Sequence, residues 1–372
     1  MRETHETWLK TLTQLPTAAG CEQRVVRWIE QWAAKCDDVS MRRDRFGNVM
    51  LARRGVRAGR PIIFAAHMDH PAFVVTEVED ARHVIAAFRG WVRESYFLSS
   101  PVRLHHGADQ PARGRVEAFV ERKPAESWGG DDSAKRLRIS FTRDVAAAVG
   151  DILTWDVGRA RIVKDRLRAP ACDDLAGVAA ALAAFDAYLA IDDPISDIRV
   201  LLTRAEEVGF VGAIAACGSG IIPKTSRIIA LENSKSFAES PIGAGPIVRV
   251  GDFTSIFNAD LTYRISRIAQ GLADEAADFR WQRKLMPGGT CEASAYQEYG
   301  YAATCLCLPL GNYHNMNERT GRIAAETISV RDFHGLVKLL EACGARLDDA
   351  RYAPGLRSRL DALFEQRRGI LD

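Results

Sequence analysis

The chain has 372 residues, 47% apolar and 26% charged, the balance of a globular protein rather than a disordered one. Its 50 Lys and Arg nearly cancel its 48 Asp and Glu, leaving +2, so no basic excess points to nucleic acid and no acidic tail to a basic partner. At roughly 150 residues per domain, the length predicts two or three domains, or one large core carrying an insertion.

The first residues, Met1 to Glu6, are polar and acidic with no apolar run behind them. No stretch approaches the ~18 uninterrupted apolar residues of a membrane span. Eight cysteines are scattered without a Cys-x-x-Cys pair, as buried free thiols in a reducing compartment would be, and the chain reads as cytoplasmic. Residues 4–34 predict two short helices broken at Leu15-Pro16, the second carrying Val25, Val26, Trp28, Ile29 and Trp32 on a helical period. A turn at Arg45–Asn48 leads into a strand over 48–53. The nearly continuous apolar run 61–66 is what a strand buried on both faces of a helix-covered sheet requires.

From about Phe73 to Leu167 the texture changes. Short β-like pieces at 83–88, 115–121, 137–141 and 152–156 alternate with turn-rich stretches, with a single helical turn near 144–148. This predicts a small β-rich domain inserted into the first, with 123–135 as a mobile surface loop. The α/β pattern resumes at Ala171, with a buried alanine-rich helix over 173–190, strands at 198–203, 227–231 and 302–308, and helices at 330–346 and 356–366.

The chemistry lies where these apolar runs end. Ile62–Ala66 runs into His67-Met68-Asp69, Val200–Thr203 into Glu206-Glu207, Ile228–Leu231 into Glu232, and Thr304–Leu308 leads on to His314. In open α/β sheets the ligand crevice lies outside the carboxyl ends of the strands. Asp173-Asp174 opens the buried helix. One aspartate there serves as an N-cap, and a second is more than capping needs. Two imidazoles shared among several carboxylates make two metal sites of mixed nitrogen and oxygen ligation, a set that suits Zn²⁺ or Co²⁺ rather than Mg²⁺ or Ca²⁺. Two residues beyond His67 on an extended chain, Asp69 shares its face and is placed to orient the imidazole. Glu206 and Glu207 point in different directions, so one binds metal while the other carries protons. That divergence argues against a glycosidase, which needs two carboxylates facing each other across a sugar.

In this arrangement the chain resembles the dinuclear metallo-aminopeptidases of the tetrahedral-aminopeptidase type, also labelled glutamyl aminopeptidase or cellulase M, within the wider clan MH of zinc exopeptidases. The resemblance is carried in order by Leu15–Glu22, Asp44–Val49, His67-Met68-Asp69, Gly150-Asp151, Asp173–Gly177, Glu206–Ala213, Gly288-Gly289-Thr290 and His314. Glu206-Glu207-Val208-Gly209-Phe210-Val211-Gly212-Ala213 is its most specific piece. The family also carries a β-rich insertion between the first histidine and the Asp-Asp pair.

The resemblance implies an α/β fold: a catalytic domain (1–72 and 168–372) with a mixed sheet flanked by helices, interrupted by a small β-barrel-like domain (73–167) used for assembly. It implies that His67 and Glu232 hold one divalent ion, that Glu207 and His314 hold the other, and that Asp173 bridges them. Glu206 is then the general base and Asp69 orients His67. The function implied is hydrolysis of the N-terminal bond of peptides, by a homo-oligomer whose dimers build larger closed shells. Glu232 stands where this family usually shows Asp. His70, Pro71 and Ala72 replace the typical acid and glycine after Asp69, and His70 reads as a pocket-wall residue rather than a third histidine ligand. Arg319 and Arg322 are candidates to pair with an acidic substrate side chain. The rivals are a carboxypeptidase, dipeptidase or N-deacylase of the same clan and, from another class, a metal-free binding or scaffold protein on this fold.

Overall fold

The computed structural model describes residues 3–56, 59–107, 111–122, 135–349 and 355–371. Two helices, α1 (Glu3–Leu12) and α2 (Gln23–Ala33), open the chain. On α2, Val25, Val26, Ile29 and Trp32 turn inward at helical spacing. Strands β1 (Val39–Arg43), β2 (Val49–Arg53) and β3 (Ile62–His67) follow.

Six strands then close a barrel: β4 (Ala72–Asp80), β5 (His83–Arg89), β6 (Pro101–His105), β7 (Ala112–Arg122), β8 (Lys135–Phe141) and β9 (Ile152–Trp155), in the order β4-β5-β8-β7-β6-β9. Its interior holds an aromatic cluster in which Phe73, Phe88, Phe97 and Trp155 meet edge to face, with Phe88–Phe97 and Phe73–Trp155 centroids 4.8 Å apart. The helical turn expected near 144–148 is irregular chain, whose Val145 N–H donates to Ala81 O at 2.9 Å. Of the loop expected over 123–135, Lys135 belongs to β8 and the rest lies outside the described residues. Strands β10 (Arg161–Val163) and β11 (Arg166–Ala169) leave the barrel and join a three-stranded sheet instead.

The chain then alternates α3 (Leu175–Leu189), β12 (Ile198–Thr203), α4 (Val211–Ser219), β13 (Arg227–Lys235), β14 (Ile247–Gly251), α5 (Ala259–Glu275), β15 (Gln282–Leu285), α6 (Glu292–Glu298) and β16 (Ala302–Leu310). A short hairpin of β17 (Met316–Asn317) and β18 (Arg322–Ile323) precedes β19 (Glu326–Ser329), which pairs with β11, and helices α7 (Val330–Arg346) and α8 (Leu356–Arg367) end the chain.

The main sheet has eight strands in the order β1-β2-β12-β3-β13-β16-β14-β15. Its central four, β12, β3, β13 and β16, run parallel. β2 and β14 pair antiparallel on either side, so the sheet is mixed. Alternate residues serve opposite faces. Phe64, Ala66, Val200 and Leu306 pack toward α3, α5 and α7, while Ile63, Ala65, Leu201 and Cys305 pack toward α4 and α6. Helix α3 lies within the first of these layers, and every residue from Leu175 to Phe185 is buried, which is why it is apolar all round. Among the described residues no helix is long and apolar enough to cross a membrane.

Candidate metal centre

The four central strands deliver the acids and histidines to one edge of the sheet. His67 is the last residue of β3, and Thr203, its partner across the ladder, ends β12 three residues before Glu206. Glu232 lies within β13, opposite Cys307 of β16, and β16 continues to Leu310 just before His314. Asp173 lies two residues ahead of α3.

There Asp173 offers one oxygen to each histidine. Its Oδ1 is 3.6 Å from His67 Nε2 and its Oδ2 3.7 Å from His314 Nε2. Glu206 Oε2 is 3.8 Å from His67 Nε2, and Glu207 Oε2 is 3.3 Å from His314 Nε2. Three groups bring one donor atom per residue within 4.8 Å of one another: His67–Asp173–Glu232, Asp173–Glu207–His314 and His67–Glu206–Glu207. The structure thus assembles His67, Asp173, Glu206, Glu207, Glu232 and His314 in one place.

Supporting contacts fix these side chains. Asp69, fully buried, lies 3.5 Å from His67 Nδ1 and accepts the backbone N–H groups of Glu206 (3.0 Å) and Glu207 (3.1 Å). Burial pushes the Asp69 carboxyl up, but His67 and the two amides outweigh it and hold it below its ordinary value. On His314, Nδ1 donates to Trp91 O at 2.6 Å, which leaves the Nε2 lone pair facing Asp173 and Glu207. Burial lowers the pKa of His314 to about 4, so the ring is neutral, the form that can ligate. Two residues of the cluster also sit in or beside left-handed backbone. His314 has φ 52° and Ala205, just before Glu206, also has φ 52°. Such strain in non-glycine residues persists only where the surroundings enforce it.

The electrostatics call for a cation. Burial first, then the repulsion of neighbouring negative charges, pushes Glu207 and Glu232 well above the usual carboxylate range. Glu206 moves the same way, against the opposing pull of His67. Buried carboxylates of one sign need a counter-charge. Asp173 Oδ1 and Glu207 Oε1 are buried with no hydrogen-bond partner. Two ligands ~2.1 Å from one ion at a tetrahedral angle lie ~3.4 Å apart. The Asp173–His67, Asp173–His314 and Glu207–His314 separations match that spacing, and the donor set fits divalent ions.

Some roles emerged only from the fold. Asp174 occupies the position before α3 but makes no capping bond. Its Oδ1 accepts from Asn233 Nδ2 at 2.6 Å, against a helix turn where a Cβ on Gly177 would meet the carboxylate at 2.3 Å. His70 joins none of the three donor groups. Its ring bridges Asp173 O (2.5 Å) and Asn315 Oδ1 (3.0 Å) and lines a cavity of about 590 Å³ beside the barrel. Glu326, buried on β19, accepts from Cys172 N, Asp173 N and His314 N at 2.7, 3.0 and 2.9 Å, so one carboxylate positions two arms of the site. Neither it nor Trp91 carried a sequence signal. Arg319 and Arg322 are exposed on the hairpin. Arg249, buried on β14, lines a cavity that also has Glu232 in its wall, and sequence reasoning passed over it because it looks like any surface arginine.

Comparison with known proteins agrees with this architecture. A TET aminopeptidase from a marine sediment Thaumarchaeota archaeon superposes with a TM-score of 0.75 at 18% identity, over 93% of this chain and 98% of that one. An aminopeptidase of Desulfurococcus kamchatkensis gives 0.74 at 22%, over 92% and 94%. The Pyrococcus horikoshii TET1 peptidase, which can assemble into a tetrahedron or a large octahedral shell, gives 0.74 at 21%, over 92% and 99%. The sequence model of the M42 glutamyl aminopeptidase family matches residues 47–330, about three quarters of the chain. The chain belongs to the M42 family and is a peptide-bond hydrolase.

Proposed function

We propose that this protein is a dinuclear metallo-aminopeptidase. The observation that carries the reading is the placement of Asp173 between His67 and His314, one oxygen to each. His67 and Glu232 would hold one divalent ion and Glu207 and His314 the other, with Asp173 shared between them. The mixed imidazole and carboxylate donors favour Zn²⁺ or Co²⁺. Bound there, the ions supply a water of lowered pKa and polarise the scissile carbonyl.

The chain's own residues do the rest. Glu206 lies beside His67 but outside the two triads centred on Asp173, which leaves it free to take the water's proton and pass it to the leaving amine. Asp69 holds the His67 ring and the Glu206–Glu207 backbone together, so base and ligand keep a fixed offset. Trp91, on the segment after β5, holds His314 and ties the barrel side of the molecule to the site.

In this reading residues 1–72 and 168–372 form the catalytic domain and 73–167 an inserted assembly domain, in a cytoplasmic homo-oligomer acting on peptides. The shells of the Pyrococcus relative and the eight free cysteines support these points. The test is hydrolysis of aminoacyl p-nitroanilides by chelated protein resupplied with Zn²⁺, Co²⁺ or Mn²⁺. Free-amine substrates should be cleaved and their N-acetyl counterparts left intact. Cleavage of only the acetylated compounds would favour the deacylase alternative, and release of only C-terminal residues from peptides the carboxypeptidase one.

A further inference from the structure

The cavity of about 590 Å³ beside the barrel is walled by the segment joining α1 to α2, by strand residues of the barrel, and by His70, which holds Asp173 O. None of the metal-donor residues lines it, so a ligand there occupies a second site. Three arginines do line it, Arg103, Arg113 and Arg159, and among the described residues no carboxylate does. Arg103 on β6 and Arg113 on β7 stand directly opposite each other in the strand register, where like charges repel. Asp156 answers both. Its Oδ1 accepts from Arg103 Nε at 2.5 Å, and its Oδ2 lies 3.1 Å from Arg113 Nε. Arg159 is exposed and has no carboxylate partner among the described residues. Trp155, in the same wall and 3% exposed, has an indole Nε1 with no hydrogen-bond acceptor.

Three guanidiniums against one aspartate leave two positive charges, the complement of a dianion. Asp156 engages Arg103 and Arg113 through Nε, which leaves their Nη groups as planar forks suited to phosphate oxygens. The neighbouring His105 feels the same field. Burial, then the positive charges of Arg24 and Arg103, lowers its pKa to about 4, so the ring stays neutral. The volume is that of a small-molecule site, ~300–1,000 Å³, and Leu15, Pro16 and Pro71 give it an apolar side. We infer that this cavity binds a phosphate dianion, free or carried on a small organic molecule, between Arg103, Arg113 and Arg159.

The experiment is isothermal titration of full-length protein, chelated and metal-loaded, with inorganic phosphate, phenyl phosphate and succinate. Phosphate should bind in both states, and succinate, a dianion without tetrahedral oxygens, at least tenfold more weakly. Both phosphates share the recognised group, so tighter binding of phenyl phosphate assigns the site to an ester and tighter binding of inorganic phosphate to the free ion. The double variant Arg113→Met/Arg159→Met changes two exposed side chains. It should lose tenfold or more in phosphate affinity, with the thermal midpoint of the unliganded protein unchanged. Equal affinity in that variant, or binding that appears only after metal loading, would overturn the inference and leave the aminopeptidase reading intact. Wild-type protein that ignores both phosphates, or takes succinate as tightly, would overturn it with no variant needed.

Discussion

At the residue scale, the two neighbouring glutamates face different histidines. Glu207 faces His314 and Asp173, whereas Glu206 faces His67, and both backbones hang from Asp69. Glu206→Gln keeps shape and hydrogen bonding but cannot accept a proton. It should retain metal and lose on the order of 10²–10⁴ in kcat. Glu207→Gln would replace the proposed ligand with a poor one, so metal affinity should fall and excess Zn²⁺ or Co²⁺ should recover part of the rate. Metal content and kcat measured on the same preparations decide between them. Metal loss in Glu206→Gln with retention in Glu207→Gln would exchange the two roles, and wild-type kcat in Glu206→Gln would remove the base.

Single elements carry the site's precision, and β19 carries more than its four residues suggest. Three backbone amides from two separate segments converge on Glu326. Replacing it with Gln turns an amide NH₂ toward donors already present and breaks hydrogen bonds to a buried acceptor. A loss of about 3 kcal/mol is expected, seen as a thermal midpoint lower by several degrees and as weaker metal retention. An unchanged midpoint would show that the loops hold themselves.

Elements also explain what the sequence disclosed. The apolar runs ending at Ala66, Thr203, Leu231 and Leu308 became four adjacent parallel strands, because strands covered on both faces must be continuously apolar. Strand β4 was hidden because its apolar start, Ala72–Val75, gives way to an exposed half with no alternation. Helix α5 was passed over although Leu261, Ile265, Ile268 and Leu272 recur on its inward face at helical spacing, with polar residues filling the outward one. The acids and histidines at strand ends were legible because strand ends point to one edge. Glu326, Trp91 and Arg249 were not, since their partners lie 153, 223 and 15 residues away and only tertiary packing brings them together.

Taken as a whole molecule, the barrel and the sheet share the centre through Trp91, so deleting 73–167 would strip His314 of its acceptor. Assembly is therefore best read on the intact chain. A homo-oligomer larger than a dimer is expected by light scattering at micromolar concentration, and a monomer would refute the assembly reading without touching the chemistry.

Stability should follow the buried carboxyls. Burial raises Glu292 to about 7 and moves Glu206, Glu207 and Glu232 the same way. A carboxyl raised on folding leaves the folded state holding more protons than the unfolded one above the ordinary value near 4.5, so stability is lost as pH climbs from there through the folded pKa. Chelated protein should thus melt at lower temperature at pH 8 than at pH 5.5. Added Zn²⁺ should raise the midpoint more at pH 8, where its ligands are deprotonated. A midpoint of chelated protein that rises across this range would contradict the electrostatic account.

The central claim is that Asp173 joins two ion sites, and metal content per chain tests it most directly. Wild-type protein loaded with excess Zn²⁺ or Co²⁺ and then desalted should retain two ions per chain by elemental analysis. Asp173→Ala should lose both, and His314→Ala should mainly weaken one. Wild-type protein that retains none would contradict the dinuclear reading.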